Sequence, residues 1–222
     1  MSAIKAHDSV VAVLFATRAA SALLPVAVRS GVSPNALTLL SLALTLVAAY
    51  AMTVDSAATA IVAAALIEIG FVVDCLDGQL ARATRRTSDF GAYLDSMTDL
   101  AKVFLLLFAA GAAAGAPADA ALAGWSFLWF ALCQHHVHVT KTFPQRAQSD
   151  YEEEIAPWKA RLSAFGQQID VAFAIGEVLT VLALGALFRR HELALRVLAI
   201  LLPIQFASYA IRFWRHRYER PA

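Results

Sequence analysis

The chain has 222 residues, of which 59% are apolar and only 16% carry a charged side chain. A soluble domain has roughly 45–50% apolar and about 25% charged residues, so the composition argues against a soluble protein and for one compact membrane domain over residues 1–222. The net charge of +1 gives no sign of a nucleic-acid partner, and the two cysteines, Cys75 and Cys133, do not suggest a disulfide framework.

Residues 1–30 are expected to form an amphipathic helix in the cytoplasmic membrane interface. Charged residues, including Lys5, Arg18 and Arg29, interrupt a segment rich in alanine, valine and leucine, as is typical of interfacial helices. The alternative is an additional transmembrane helix of low hydrophobicity, which would invert the topology.

Six later segments are apolar and close to the ~20 residues that cross the hydrocarbon layer. The predicted fold is therefore an all-α integral membrane protein, with a six-helix bundle over 34–213 and a cytoplasmic tail over 214–222. An even number of spans places both termini on the same side. The predicted spans are 34–53, 57–86, 89–113, 119–140, 167–187 and 193–213.

The distribution of lysine and arginine predicts the orientation. With the N-terminus inside, only Arg189, Arg190 and Arg196 fall outside, and the other fifteen basic residues are inside. Basic residues concentrate on the cytoplasmic side of membrane proteins. We therefore expect a bacterial-type cytoplasmic membrane protein with both termini in the cytoplasm.

The first span has a clear helix start. Ser33 is a typical N-cap residue, and Pro34 suits the first helical position. The start of a helix is also a good place to bind a pyrophosphate. The sequence leaves open whether this segment only caps the helix or also binds a ligand.

An acidic motif lies where the second and third spans meet. Asp74, Asp77, Gly78 and Arg82 share one helical face, and Asp95 and Asp99 share a face of the next helix. One arginine cannot balance four carboxylates, whereas two divalent ions can. Because all the ligands are oxygens, Mg²⁺ or Mn²⁺ is favoured over zinc. The second span is long enough to protrude into the cytoplasm, so the site is expected near that interface.

The spacing of this motif, Asp-x2-Asp-Gly-x2-Ala-Arg-x8-Gly-x3-Asp-x3-Asp, resembles the signature of the CDP-alcohol phosphotransferase (CDP-alcohol phosphatidyltransferase) family at all eight fixed positions. Residues 34–38 also resemble the Pro-Asn/Asp-x-x-Thr entry to the first span of that family. The resemblance implies transfer of a phosphatidyl group from CDP-diacylglycerol to a small alcohol, with release of CMP.

The same resemblance implies residue roles. The expected metal ligands are Asp74, Asp77, Asp95 and Asp99, and Asp99 is also the expected general base. Residues matching the CDP-binding positions are Asn35, Thr38, Gly78, Ala81, Arg82, Ser88 and Gly91.

The acceptor site is less clearly indicated. Lys141, Asp170 and Arg212 are candidates, because they lie near the cytoplasmic ends of spans. The roles of three other features stay open. Lys102 is expected to ion-pair with Asp99 or Asp95, with acceptor binding and snorkelling as alternatives. Glu68 is expected to form a hydrogen bond between helices or to line a polar cavity. The histidines 135, 136 and 138 favour an interfacial or acceptor role over zinc.

Two other functions are alternatives on the sequence alone. A related enzyme would use CDP-choline or CDP-ethanolamine as donor and diacylglycerol as acceptor. A divalent-cation transporter would use the aspartates as its transport site, although the sequence shows no internal repeat. The small residues of 109–116 could also allow close packing in a homodimer.

Overall fold

The computed structural model describes residues 15–140 and 175–215, together with two short strands. For residues 133–140, 209 and 212–215 it describes the helical backbone alone. The strands, β1 (His7–Asp8) and β2 (Gln168–Ile169), pair in parallel with His7 opposite Gln168. The sequence did not predict this pair, but at two residues per strand it leaves the all-α class unchanged.

Seven helices make up the described ranges, and the predicted all-α architecture is confirmed. The first, α1, lies within the predicted N-terminal segment 1–30. Five of the other six begin within two residues of the start of a predicted span, and α6 begins eight residues into the predicted fifth span. Their bounds are α1 Thr17–Ser30, α2 Pro34–Met52, α3 Ala57–Ala83, α4 Asp89–Ala114, α5 Pro117–Thr140, α6 Ile175–Leu187 and α7 His191–Arg215.

Serine caps start the three helices that carry the motif residues. Ser33 accepts a hydrogen bond from the amide of Ala36 at 3.2 Å, which confirms the predicted cap of α2. Ser56 caps α3, and Ser88 caps α4. A serine oxygen at this position satisfies an amide that has no partner inside the helix.

The α3 helix ends three residues earlier than predicted, at Ala83 instead of residue 86. Arg85 adopts the left-handed conformation with φ 57°, and the amide of Arg86 donates to the carbonyl of Ala81 at 2.9 Å. This pattern is a common helix termination, in which the left-handed residue reverses the chain. The helix is still 27 residues long, about 40 Å at 1.5 Å per residue.

Four of the described helices are long and apolar enough to cross a membrane: α2, α3, α4 and the His191–Ser208 part of α7. Large apolar side chains on their outer faces, such as Tyr50 and Ile200, are exposed, as expected of a surface in contact with lipid. The predicted fifth span, 167–187, corresponds only to α6, which begins at Ile175 and has 13 residues. That length covers about 20 Å of the ~30 Å hydrocarbon layer, so the count of six spans stays a prediction.

Two shared neighbours hold α3 and α4 in place. Both α2 and α6 pack against α3 and against α4. Small and branched side chains form the core, including Ala63, Val103 and Leu182. Glu68 on α3 accepts a hydrogen bond from Thr180 on α6 at 3.1 Å. The expected role of Glu68 in a contact between helices is confirmed.

The α1 helix packs against α3. Gln79 on α3 donates to the carbonyl of Thr17 at 3.0 Å and accepts from Ser21 at 3.1 Å. The described helix begins at Thr17. The prediction of a helix over 1–30 is wrong at His7–Asp8, whose backbone pairs with Gln168–Ile169 as strand β1, and residues 1–6 and 9–14 lie outside the described residues. The position of α1 relative to a membrane stays a prediction.

Some of the small residues of 109–116, the predicted dimer contact, pack inside this chain. Ala109, Ala110 and Gly111 are buried. A Cβ atom on Gly111 would lie 2.8 Å from the Cβ of Ala120 on α5. The close approach of α4 and α5 therefore explains Gly111, and the homodimer stays a prediction.

Candidate active site

Three carboxylates meet between α3 and α4. Asp74, Asp95 and Asp99 each offer an oxygen, and these oxygens lie within 4.8 Å of one another. All three side chains are partly buried. Oxygens bound to one Mg²⁺ or Mn²⁺ ion lie at about 2.0–2.2 Å from the metal, so a cluster of this size can close around a cation.

The donor set suits a hard divalent cation. Every ligand atom is a carboxylate oxygen, the type that Mg²⁺ and Mn²⁺ prefer. Asp99 Oδ1 is also buried, and its contact among the described residues is an ion pair with a lysine ammonium and not a hydrogen bond of normal geometry. The residues present therefore fit a metal ion.

Lys102 lies beside this cluster and is almost completely buried, with 2% of its side chain exposed. Its Nζ atom lies 2.5 Å from Asp74 Oδ1 and 2.7 Å from Asp99 Oδ1. The expected ion pair with Asp99 is confirmed. The pair with Asp74 was not predicted, because it joins two different helices and the sequence shows only the spacing along one.

Asp77, the fourth predicted metal ligand, is held in a different way. Its Oδ2 accepts a hydrogen bond from the Thr38 hydroxyl at 2.5 Å, and both side chains are buried. Asp77 lines the same pocket as the other three aspartates, but its oxygens are not part of their close cluster. The structure thus brings three of the four carboxylates together and places the fourth against α2.

A pocket of about 120 Å³ opens beside the carboxylates. Gly78 and Arg82 line it together with the four aspartates, and Thr17 of α1 contributes to one wall. The guanidinium of Arg82 lies directly over Gly78: a Cβ atom on that glycine would be 3.1 Å from Nη1. The absence of a side chain at Gly78 therefore gives Arg82 its position at the pocket.

A second group of predicted residues gathers where α2 and α4 begin. Ser88 accepts a hydrogen bond from the amide of Gly91 at 3.0 Å. A Cβ atom on Gly91 would be 3.3 Å from Oδ1 of Asn35. The starts of the two helices therefore meet here, and each start has a positive dipole end and amides without a partner inside its helix. Ala81 lies on α3 in the same motif and is half-buried.

Lys141 and Asp170 lie outside the described residues, and so do the side chains of Arg212 and of the three histidines 135, 136 and 138.

Comparison with known proteins gives three similarities. Residues 31–152 match the sequence model of the CDP-alcohol phosphatidyltransferase family. Over 78 residues the chain is 38% identical to the archaetidylinositol phosphate synthase of Pyrococcus horikoshii; this stretch covers 35% of the chain but only 40% of that relative.

The fold resembles that of the phosphatidylinositol phosphate synthase of Mycobacterium tuberculosis. One crystal structure of that protein, in complex with manganese and citrate, gives a TM-score of 0.55 at 18% identity, covering 94% of each chain. Another, with CDP-DAG bound, gives 0.50 at 20% identity, covering 94% of this chain and 99% of the other.

The family match extends over more than half of the chain. It includes both the helix start at Pro34 and the complete acidic motif. Six of the eight motif residues line one pocket: Asp74, Asp77, Gly78, Arg82, Asp95 and Asp99. The protein therefore belongs to the CDP-alcohol phosphatidyltransferase family of membrane enzymes.

Proposed function

We propose that this protein transfers a phosphatidyl group from CDP-diacylglycerol to the hydroxyl of a small alcohol and releases CMP. The observation that carries the proposal is the cluster of Asp74, Asp95 and Asp99 within 4.8 Å, next to a pocket that Gly78 and Arg82 line. The carboxylates of such a site can hold divalent cations. The guanidinium of Arg82 and the backbone at Gly78, which no side chain covers, can receive a pyrophosphate.

The donor would bind at the Gly78 side of the pocket. Arg82 presents a guanidinium there, and a guanidinium binds phosphate oxygens through paired hydrogen bonds. The starts of α2 and α4 contribute a favourable dipole for an anion. The proposed donor-binding residues are Asn35, Thr38, Gly78, Ala81, Arg82, Ser88 and Gly91.

Asp74, Asp77, Asp95 and Asp99 would hold the metal, which we propose to be Mg²⁺ or Mn²⁺. When bound, a divalent ion supplies positive charge that stabilises the phosphoryl oxygens and the leaving group. Thr38 has a supporting role in this scheme, because its hydrogen bond orients Asp77.

Asp99 would act as the general base. It would accept the proton of the acceptor hydroxyl, whose oxygen forms a bond to the phosphorus that carries the diacylglycerol. The bond from that phosphorus to the bridging oxygen breaks, and CMP leaves with the electron pair. The pocket beside Asp99 keeps the acceptor and the donor close together, which promotes direct transfer.

The acceptor would enter from the cytoplasmic side, with Lys141, Asp170 and Arg212 as candidate contacts. The basic residues Lys141 and Arg212 would suit a phosphorylated alcohol. Both named relatives are synthases of inositol phosphate lipids. Inositol phosphate is therefore the first acceptor to test, followed by unphosphorylated small alcohols.

The test is release of CMP by the purified protein in detergent with Mn²⁺. CDP-diacylglycerol is supplied with each alcohol, and CDP-choline and CDP-ethanolamine are supplied with diacylglycerol. We expect CMP only from CDP-diacylglycerol. Release from the head-group donors alone would support the related enzyme instead.

Absence of CMP from every donor and acceptor pair would contradict the proposal. Uptake of Mn²⁺ by proteoliposomes that persists in Asp99→Asn, without any CMP, would point to cation transport instead.

A further inference from the structure

We infer that Lys102 competes with the divalent ion for the carboxylates of the site. In this inference the ammonium holds Asp74 and Asp99 together in the metal-free protein and leaves them when metal binds. The inference rests on the function proposed above, because it takes these aspartates as metal ligands.

The contacts of Lys102 are those of a resident cation. An ammonium group has three N–H donors, and three oxygens surround this one. They are Asp74 Oδ1 at 2.5 Å, Asp99 Oδ1 at 2.7 Å and the Ser41 hydroxyl oxygen at 3.4 Å. With only 2% of the side chain exposed, water cannot replace these partners.

The ammonium and the metal need the same oxygens. Asp74 and Asp99 are two of the three members of the carboxylate cluster, and Lys102 already contacts both. A divalent ion at ~2.1 Å from these oxygens would lie within a few ångströms of a positive charge in a partly buried site. Repulsion at such a distance is strong because little water screens it. Metal binding is therefore expected to displace the ammonium.

This competition would connect metal binding to donor binding. Without Lys102, Asp74, Asp95 and Asp99 would repel one another when no metal is bound. With it, the site is stable but binds metal weakly until the phosphate oxygens of the donor add further ligands. By reciprocity, metal and donor then strengthen each other's binding.

The test is Mn²⁺ binding to the purified protein, measured by electron paramagnetic resonance without donor. Lys102→Met removes the charge, and Lys102→Gln removes it while keeping a polar end. We expect both variants to bind Mn²⁺ at least ~10-fold more tightly than the unsubstituted protein. Glu68→Gln is the control. It changes one charge on α3, outside the carboxylate cluster, and is expected to leave the affinity unchanged. Equal or weaker Mn²⁺ binding in the Lys102 variants would overturn the inference.

Stability without metal gives a second measurement. In EDTA we expect Lys102→Met to melt at least ~5 °C below the unsubstituted protein, and Mn²⁺ to restore most of the difference. An unchanged melting temperature in EDTA would count against a holding role.

Should neither variant fold, crystal structures of the unsubstituted protein with and without Mn²⁺ decide the question. Lys102 Nζ still within ~3 Å of both Asp74 and Asp99 in the loaded protein would overturn the inference, and its departure would support it. The CMP assay is independent of both results, so failure of the enzyme proposal can be told apart from failure of this one.

Discussion

The hydroxyl of Thr38 on α2 donates a 2.5 Å hydrogen bond to Asp77 on α3. Their exposed fractions are 3% and 5%, respectively. The α2 helix, which carries no residue of the acidic motif, therefore contributes directly to the site. Among the described residues, this contact also explains why Asp77 stands apart from the other three carboxylates.

Thr38→Val should weaken both stability and activity. The change leaves a buried carboxylate without its hydroxyl partner, which costs about 1–3 kcal/mol of the free energy of unfolding. Thr45→Val is the matched control, because the Thr45 hydroxyl donates only to the carbonyl of Ser41. Thermal unfolding and CMP release measure the two effects. Equal behaviour of the two variants would contradict a role for Thr38 in positioning Asp77.

Asp99→Asn should reduce CMP release by about 10²–10⁴-fold, the usual contribution of a general base. The amide keeps the size of the side chain but cannot accept the proton. Asp89→Asn is the control, since Asp89 is an exposed acid in the first turn of the same helix. A turnover rate within threefold of the unsubstituted enzyme would remove Asp99 from the proposed mechanism.

Gly78→Ala should raise the KM for CDP-diacylglycerol about 10-fold, which corresponds to ~1.4 kcal/mol of binding free energy. The added Cβ would lie 3.1 Å from Arg82 Nη1, so the guanidinium must shift by a few tenths of an ångström from the position it holds at the pocket. Gly70→Ala is the control, because its added Cβ would be 3.4 Å from the nearest atom, the carbonyl oxygen of Ser41. Steady-state kinetics measure the effect. An unchanged KM in Gly78→Ala would show that the position of Arg82 does not affect donor binding.

Removal of divalent metal with EDTA should abolish CMP release, and Mn²⁺ or Mg²⁺ should restore it. Binding to the folded protein alone should also raise its stability, by about 2.7 kcal/mol at a metal concentration 100 times the Kd. Asp95→Asn should show a smaller rise, because it lacks one carboxylate of the cluster. A rise as large as in the unsubstituted protein would exclude Asp95 as a ligand.

The proposed orientation can be tested by cysteine labelling in whole cells. In a background with Cys75 and Cys133 changed to serine, Ala118→Cys and Arg86→Cys place exposed thiols at opposite ends of α4. The basic residues predict that a membrane-impermeant reagent labels Ala118→Cys in intact cells. Arg86→Cys should react only after permeabilisation. The reverse pattern would invert the topology.

Much of the fold could be predicted because the capping residues and the apolar segments that indicate helices are local features of the sequence. Ser33, Ser56 and Ser88 cap their helices through contacts that span only two or three residues. The end of α3 was less predictable, because Arg85 takes a left-handed conformation that arginine rarely adopts. The start of α6 was also missed, since apolar composition alone does not indicate where that helix begins.

For the site, spacing along two helices was enough to group Asp74, Asp95 and Asp99. It could not reveal Thr38 beside Asp77 or Lys102 beside Asp74, because these contacts join residues on different helices. The expectation of four metal ligands came from the resemblance to the family, and it stays a prediction, because the close cluster contains only three of the four carboxylates. The signal in the sequence that could have pointed to the contact between Lys102 and Asp74 was a lysine inside an apolar span, one turn after Asp99.

The left-handed residue that ends α3, Arg85, lies in a short connection through which the family motif runs. Only the five residues 84–88 separate α3 from α4, and both halves of the motif depend on that spacer. Each α-helical residue rotates the side-chain direction by about 100°. Insertion of one residue after Asp89, inside the first turn of α4, would therefore carry Asp95 and Asp99 round to the neighbouring face, away from Asp74. The number of residues between Asp89 and Asp95 is therefore expected to be fixed, whereas length variation is expected to be tolerated in the connections at the opposite end of the bundle.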